Sequence, residues 1–292
     1  MSAPGDDDPA NTVRATDLMA LGALAARLAH TAPDLARRPG TTATRPRGQG
    51  HEIREIRPFA EGDDPRHLDA AATARTGSLQ VRSFHEDRDR TVMLIADFRR
   101  PMLWGTGRLR SVAMAEALAI AGWQAVADGG SAGVAVLTDA GILTERPVAR
   151  TRGMARVAGC LALGHARALE ALGAPIRPLA PDLVRAGRLA PRGATVILAS
   201  SLDAPGPGLA AALDGIRRRG ALRLLLPLDP FEADPPAGVL PFLGPGGATT
   251  GAFHRLPEHR ADRRARLAAA GIPAEDVPTE DVPTGVPRGA AA

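Results

Sequence analysis

The sequence predicts an α/β protein built on a doubly wound, mostly parallel sheet, with a small N-terminal β-containing subdomain ahead of it. Three observations carry this. Short uninterrupted apolar runs, of which Thr91-Val92-Met93-Leu94-Ile95-Ala96 is the clearest, read as strands buried on both faces. Helical segments alternate with those runs up to Leu228, and such alternation builds parallel sheets. Before residue 90 the pattern differs: Leu79-Gln80-Val81-Arg82-Ser83-Phe84 alternates with period two inside a charge-dense stretch, as a half-exposed strand does. A chain of 292 residues has room for a buried core and for about two domains.

Taken in order, residues 1–14 are polar and contain Pro and Gly, and are expected to be disordered. Leu18, Leu21, Leu24 and Leu28 recur at helical spacing, with Asp17 as the candidate cap. The Pro, Gly, Thr and Arg of residues 33–47 predict a loop. After Asp97 ends the first buried run, the segment from Arg108 to Asp128 is apolar enough to need burial as a helix against the sheet. Val134-Ala135-Val136-Leu137 and Ile142-Leu143 flank Thr138-Asp139-Ala140-Gly141, a hairpin turn. Helices near 154–171, 181–189 and 208–219 alternate with strands at 195–199 and 222–228. Past Leu240 order is expected to decline, apart from an arginine-rich helix over 259–270 closed by Gly271 and Pro273. The tail repeats Glu-Asp-Val-Pro-Thr at 275–279 and 280–284, which reads as low-complexity and disordered. The expected divisions are therefore 1–14, a helix and β-rich subdomain over 15–87, the sheet domain over 88–240, an extension over 241–271 and a tail over 272–292.

Composition excludes several chemistries. The sequence has no lysine, so Walker-type phosphate loops and Schiff-base chemistry are ruled out. One cysteine, Cys160, rules out an intrachain disulfide and a cysteine-rich zinc site, and its place on an apolar helix marks it as a small buried hydrophobe. The net charge of +4 is small, and few aromatic residues are available for stacking on bases, so nucleic acid is not the expected partner. The chain opens Ser2-Ala3-Pro4-Gly5-Asp6-Asp7-Asp8 without the basic start of a signal peptide, and the uncharged stretch from Ala117 to Ala127 is well short of the ~20 residues of a membrane span. A soluble, cytoplasmic protein is the expectation.

The densest motif runs from Arg47 to Arg75. It holds Gly48, Gly50 and Glu52, then Arg57, Phe59, Gly62, Asp63, Asp64, Arg66, Leu68 and Asp69, then Ala74-Arg75, followed by Val81, Arg82, Phe84, Glu86, Asp87, Arg88, Thr91 and Val92. Gly-Asp-Asp-Pro is a turn signal, and the acids alternate with arginines, which favours a structural ion-pair network. The competing reading is a hydrolytic or metal site on Asp63, Asp64, His67 and Asp69, since oxygen-rich clusters suit magnesium or manganese. In this spacing the sequence resembles the domain-of-unknown-function 58 family. It departs at Ala70, where the family usually has tryptophan.

The resemblance implies a von Willebrand factor A-like domain that works as an adaptor beside a MoxR-type AAA+ ATPase, in chaperone-like assembly or metalloenzyme maturation, with no catalytic activity or cofactor. Such domains often carry a metal-ion-dependent adhesion site, Asp-x-Ser-x-Ser, after the first buried strand. Here the string is Asp97-Phe98-Arg99-Arg100-Pro101-Met102: the aspartate stays, and Arg99 and Pro101 replace both serines. Ser200-Ser201 stands where the family often has Ser-Asp. A guanidinium has no lone pair for a metal, so no metal is expected, and Arg99 is expected to answer Asp97 with a bidentate pair. The partner-binding face is expected at the C-terminal edge of the sheet, lined by Asp97, Arg99, Arg100, Ser200, Ser201 and Asp203, with Gly62, Asp63, Asp64, Arg66, Asp69 and Arg75 serving structure. Trp104-Gly105-Thr106-Gly107 offers Gly-x-Gly only, short of a dinucleotide fingerprint. Asp139 reads as turn, and Arg217-Arg218-Arg219 as a helix C-terminus.

Overall fold

The computed structural model describes residues 8–31, 53–59, 68–84, 91–244 and 247–280. The chain divides into two compact units, Pro33–Asp89 and the remainder, Met1–Ala32 with Arg90–Ala292. Helix α1 is Ala15–Thr31. The smaller unit follows: β1 (Ile53–Pro58), α2 (Ala70–Thr76) and β2 (Gln80–Phe84), with β1 and β2 antiparallel. Asp69 is the N-cap of α2. Its carboxylate accepts from Ala72 N at 2.8 Å, and Gly77 closes the helix at φ 70°, a left-handed position that suits glycine. Arg75 is exposed in the last turn of α2, where a cation meets the helix dipole favourably. Gly62, Asp63, Asp64, Arg66 and His67 lie outside the described residues.

The larger unit continues with β3 (Thr91–Asp97), α3 (Arg110–Ala127), β4 (Ser131–Thr138), β5 (Gly141–Ala149), α4 (Arg150–Glu170), α5 (Leu179–Leu189), β6 (Thr195–Ala199), α6 (Leu209–Arg217), β7 (Leu222–Leu228) and α7 (Pro230–Ala233). A hairpin of β8 (Val239–Gly244) and β9 (Gly247–Ala252), helix α8 (Leu256–Ala269) and β10 (Ala274–Pro278) complete it. The sheet runs β10-β7-β6-β3-β4-β5, parallel throughout except for the β4–β5 hairpin. Every residue of β3 is buried, as its apolar run demands of a central parallel strand. One face packs on α1, α3 and α4 through Leu18, Leu94, Leu118, Val134 and Leu161. The other packs on α5, α6 and α8 through Ile95, Leu183, Leu198, Ile216 and Leu267.

Four expectations are corrected. Residues 8–14 are built into the larger unit: Val13 is buried and Ala10 O accepts from Leu109 N at 3.0 Å. Helix α1 belongs with the sheet and not with the β-containing subdomain. The Trp123 indole donates to Leu18 O at 3.0 Å, and Gly22 lies so close to that ring that a Cβ there would meet it at 3.0 Å. Asp17 sits inside the first turn of α1 and is not its cap. Finally, the sheet does not end near residue 240. The first Glu-Asp-Val-Pro-Thr copy forms most of β10, an edge strand whose Val277 is buried, because a parallel neighbour at the open edge of β7 satisfies backbone groups that composition alone leaves unpaired. Residues 281–292 lie outside the described residues.

Inside the first core, His165 is buried on α4, with its Nε2 3.0 Å from Ser111 Oγ and its ring edge-on to Phe98. Burial pulls its pKa from 6.5 down to about 4. The unfolded chain takes up this proton near pH 6.5 and the folded chain only near pH 4, so stability is expected to fall as pH drops through that window. The full loss is roughly 3 kcal/mol for this one group. Urea denaturation at a series of pH values checks it, and a His165→Gln variant is expected to lose that part of the slope.

Candidate functional site

Strand order reverses direction at β3. The chain leaves β3 through α3 to β4 on one side, and later returns to lay β6 on the other side. Open α/β sheets place ligands in the crevice at the carboxyl ends of such strands. Here that crevice lies between Asp97, the last residue of β3, and Ser200, which follows β6.

The crevice is filled by the chain itself. Asp97 Oδ1 accepts from Arg99 Nε at 2.9 Å and from Arg99 N at 3.2 Å. Asp97 Oδ2 accepts from Arg99 Nη2 at 2.8 Å and from Ser200 Oγ at 2.7 Å. Arg99 Nη1 donates to Arg177 O at 2.6 Å and Ala204 O at 3.1 Å, and Nη2 donates to Asp203 O at 3.0 Å. All five guanidinium N–H groups therefore have acceptors. Both side chains are 0% exposed, and the bidentate pair expected from sequence is formed. A buried pair holds only when its remaining donors and lone pairs are satisfied, and this one meets that condition.

The two loops that cap Arg99 are held in turn. Asp139, after β4, accepts from the backbone N–H of Arg100 and of Arg177, both at 2.7 Å, so the turn aspartate staples three loops. The Arg177 guanidinium pairs with the buried Asp182 at the start of α5, at 3.0 Å. The β6–α6 loop holds Leu202 at φ 58° and Ala204 at φ 46°, both left-handed for residues that carry a Cβ. The Ala204 carbonyl that faces Arg99 also accepts from Leu179 N at 3.2 Å. Asp203 pairs with Arg263 of α8 at 2.8 Å.

Beside the crevice stands a second buried arginine. Arg110 opens α3 and is fully buried, with its guanidinium carbon 3.5 Å from the Trp104 ring centroid. Its Nη2 lies 2.6 Å from Glu232 Oε2 as an ion pair without hydrogen-bond alignment, and Asp203 is 3.9 Å from Nη1. Burial lowers its pKa, and Glu232 opposes that pull. The loop that carries Trp104 is anchored on Asp229 at the end of β7, which accepts from Thr106 N at 2.8 Å and from Thr106 Oγ1 at 2.5 Å. A Cβ at Gly105 would meet Arg108 O at 1.8 Å, so a tight turn requires the first glycine of the Gly-x-Gly string.

Asp97, Arg99, Ser200 and Ser201 come together, but all four are buried and hold the edge from within. Arg100 and Asp203 reach its surface partly, and Trp104, 39% exposed, joins them there. Sequence reasoning missed Trp104, Arg110, Asp139 and Asp229 as parts of this edge. The signal was present: the buried strands β3, β4, β6 and β7 each end on or are soon followed by an aspartate, at 97, 139, 203 and 229.

The residues around Asp97 do not fit a divalent cation. Both carboxylate oxygens accept from the guanidinium, and Pro101 offers no side-chain ligand. Cys160 is buried on α4, and burial pushes its thiol up to about 11, which suits a packing role. Asp69, from the alternative hydrolytic cluster, is occupied as a helix cap. No helix among the described residues is long and apolar enough to cross a membrane.

Fold and edge together define an α/β protein with a mostly parallel six-stranded sheet, whose ligand crevice is closed by an internal ion pair. The chain belongs to the family described as protein of unknown function DUF58, whose model matches residues 55–271. No curated protein and no solved structure matches it.

Removal of one partner of the pair leaves an uncompensated buried charge. Arg99→Ala is expected to cost about 3–5 kcal/mol in urea unfolding. Asp97→Ala combined with Arg99→Ala is expected to cost less than the sum of the single changes, because neither charge is then left alone.

Proposed function

We propose that this chain is a protein-interaction module with no chemistry of its own, and that its partner contacts the C-terminal edge of the sheet. The observation that carries the reading is Arg99. Its guanidinium fills the crevice where an α/β sheet of this order would take a small ligand, so what the edge offers is a surface. That surface presents Trp104, held flat on Arg110, and Arg100, whose guanidinium has no partner among the described residues. Tryptophan and arginine are the side chains that most often dominate binding energy in protein interfaces.

The motif resemblance and the sheet order support a von Willebrand factor A-like reading of the larger unit, in which this edge is the recognition face. The family resemblance supports a MoxR-type AAA+ ATPase as the partner, with the chain acting as its adaptor in assembly or metalloenzyme maturation. In the metal-dependent domains of this kind a cation recruits a partner carboxylate, whereas here fixed side chains do the recruiting. Binding is therefore metal-independent in this reading.

Affinity for a purified MoxR-type ATPase is the direct test. Trp104→Ala is expected to weaken binding by about tenfold or more, Arg100→Glu is expected to weaken it too, and chelator is expected to change nothing. Binding that ignores both substitutions, or that disappears with chelator, would sink the proposal.

A further inference from the structure

The structure describes one copy of the Glu-Asp-Val-Pro-Thr repeat in a built receptor. Its backbone adds to the open edge of β7 in parallel register, from Ala274 opposite Leu224 to Pro278 opposite Leu228. Leu224 N donates to Pro273 O at 2.9 Å and Thr279 N donates to Leu228 O at 3.1 Å. Each side chain except the exposed proline has a receiver. Arg223 pairs with Glu275 at 3.4 Å, and Arg260 and Arg264, one turn apart on α8, grip Asp276 from two sides. Val277 is buried in the core with α3, and Thr279 is buried with its Oγ1 3.4 Å from Asp229. An acidic extended segment with a valine at its third position is what this edge recognises.

The chain carries that segment twice, in identical sequence and in immediate succession. We propose that the second copy, Glu280–Thr284, is an alternative ligand of the same receptor, so that β10 exists in two registers five residues apart. A one-residue slip normally turns a strand's core face to solvent. A slip of one whole repeat preserves every receiver, because glutamate, aspartate, valine, proline and threonine return to the same five places. The position opposite Leu224 then changes from Ala274 to Thr279, a residue well suited to a strand. Five more residues then join the connection after Ile272. Both copies lie past residue 271, where the family match ends.

The exchange has a consequence at the edge where the strand leaves the sheet. In the described register the residue beyond the repeat is Glu280, which lines a hollow with Arg14, Arg108 and Glu116 close to the Gly107 turn. In the shifted register Gly285 takes its place, and a negative charge leaves the rim beside the Trp104 loop. Any effect of that change on partner binding rests on the function proposed above, whereas the exchange itself does not.

Three variants of the full chain test it: Val277→Asp, Val282→Asp and the two together. Thermal unfolding of Val282→Asp is expected to match the wild type, because the first copy remains. Val277→Asp is expected to lose only a few degrees, because the second copy moves in, and hydrogen exchange should then protect residues 280–284. The double variant is expected to lose more than about 4 °C beyond Val277→Asp alone. The proposal is overturned by a Val277→Asp protein that unfolds as low as the double variant, or by one whose residues 280–284 exchange freely.

Discussion

The C-terminal edge of the sheet depends on the electrostatic closure of Asp97. A carboxylate at the end of a fully buried central strand must be answered from within, since desolvation of a lone charge is costly. Arg99 answers it with two parallel hydrogen bonds, and its remaining N–H groups then organise the surroundings. By taking the carbonyls of Arg177, Asp203 and Ala204, the guanidinium ties the α4–α5 linker and the β6–α6 loop to the end of β3. The left-handed backbone at Leu202 and Ala204 is a cost that these contacts offset, because it turns carbonyls inward toward a cation.

The same problem recurs along the edge with different solutions. Asp139 is satisfied by two backbone amides, Asp203 by Arg263, and Asp229 by Thr106 and the Phe231 amide of α7. Each acid thereby ties its place on the edge to another part of the chain. Arg110 is the exception in quality. It is as buried as Arg99 but has one close ion pair, no aligned hydrogen bond and an aromatic face over it. Trp104 covers that guanidinium while staying partly at the surface.

Much of the fold was legible because its signals are local. The apolar runs at 91–96, 195–199 and 222–228 became strands within a residue of their expected ends, and the hairpin turned at Thr138–Gly141 as its residues require. The Asp97–Arg99 pair was legible too, since two residues of spacing already limit its geometry. What escaped was non-local. Nothing in Leu18 or Leu21 says that the partner of α1 is Trp123 on α3, more than a hundred residues away for the bond to Leu18. Burial at the edge escaped for the same reason: the acceptors of Arg99 at Arg177 and Ala204 come from distant loops. The tail misled because a Pro-containing repeat looks featureless until an open strand edge and two arginines of α8 are set beside it.

Helix α1 precedes the Pro33–Asp89 unit in sequence, yet packs with elements that follow it. The larger unit is therefore discontinuous, interrupted by the smaller one. During synthesis the leucines of α1 emerge with nothing to cover them, and they wait until the whole intervening unit and then α3 have been made. Contacts of such long sequence separation form late and slow the folding of the whole. The insertion thus sets a temporal order: the β-containing unit has its full sequence before the sheet has its first strand, and α1 can dock only once α3 has been made.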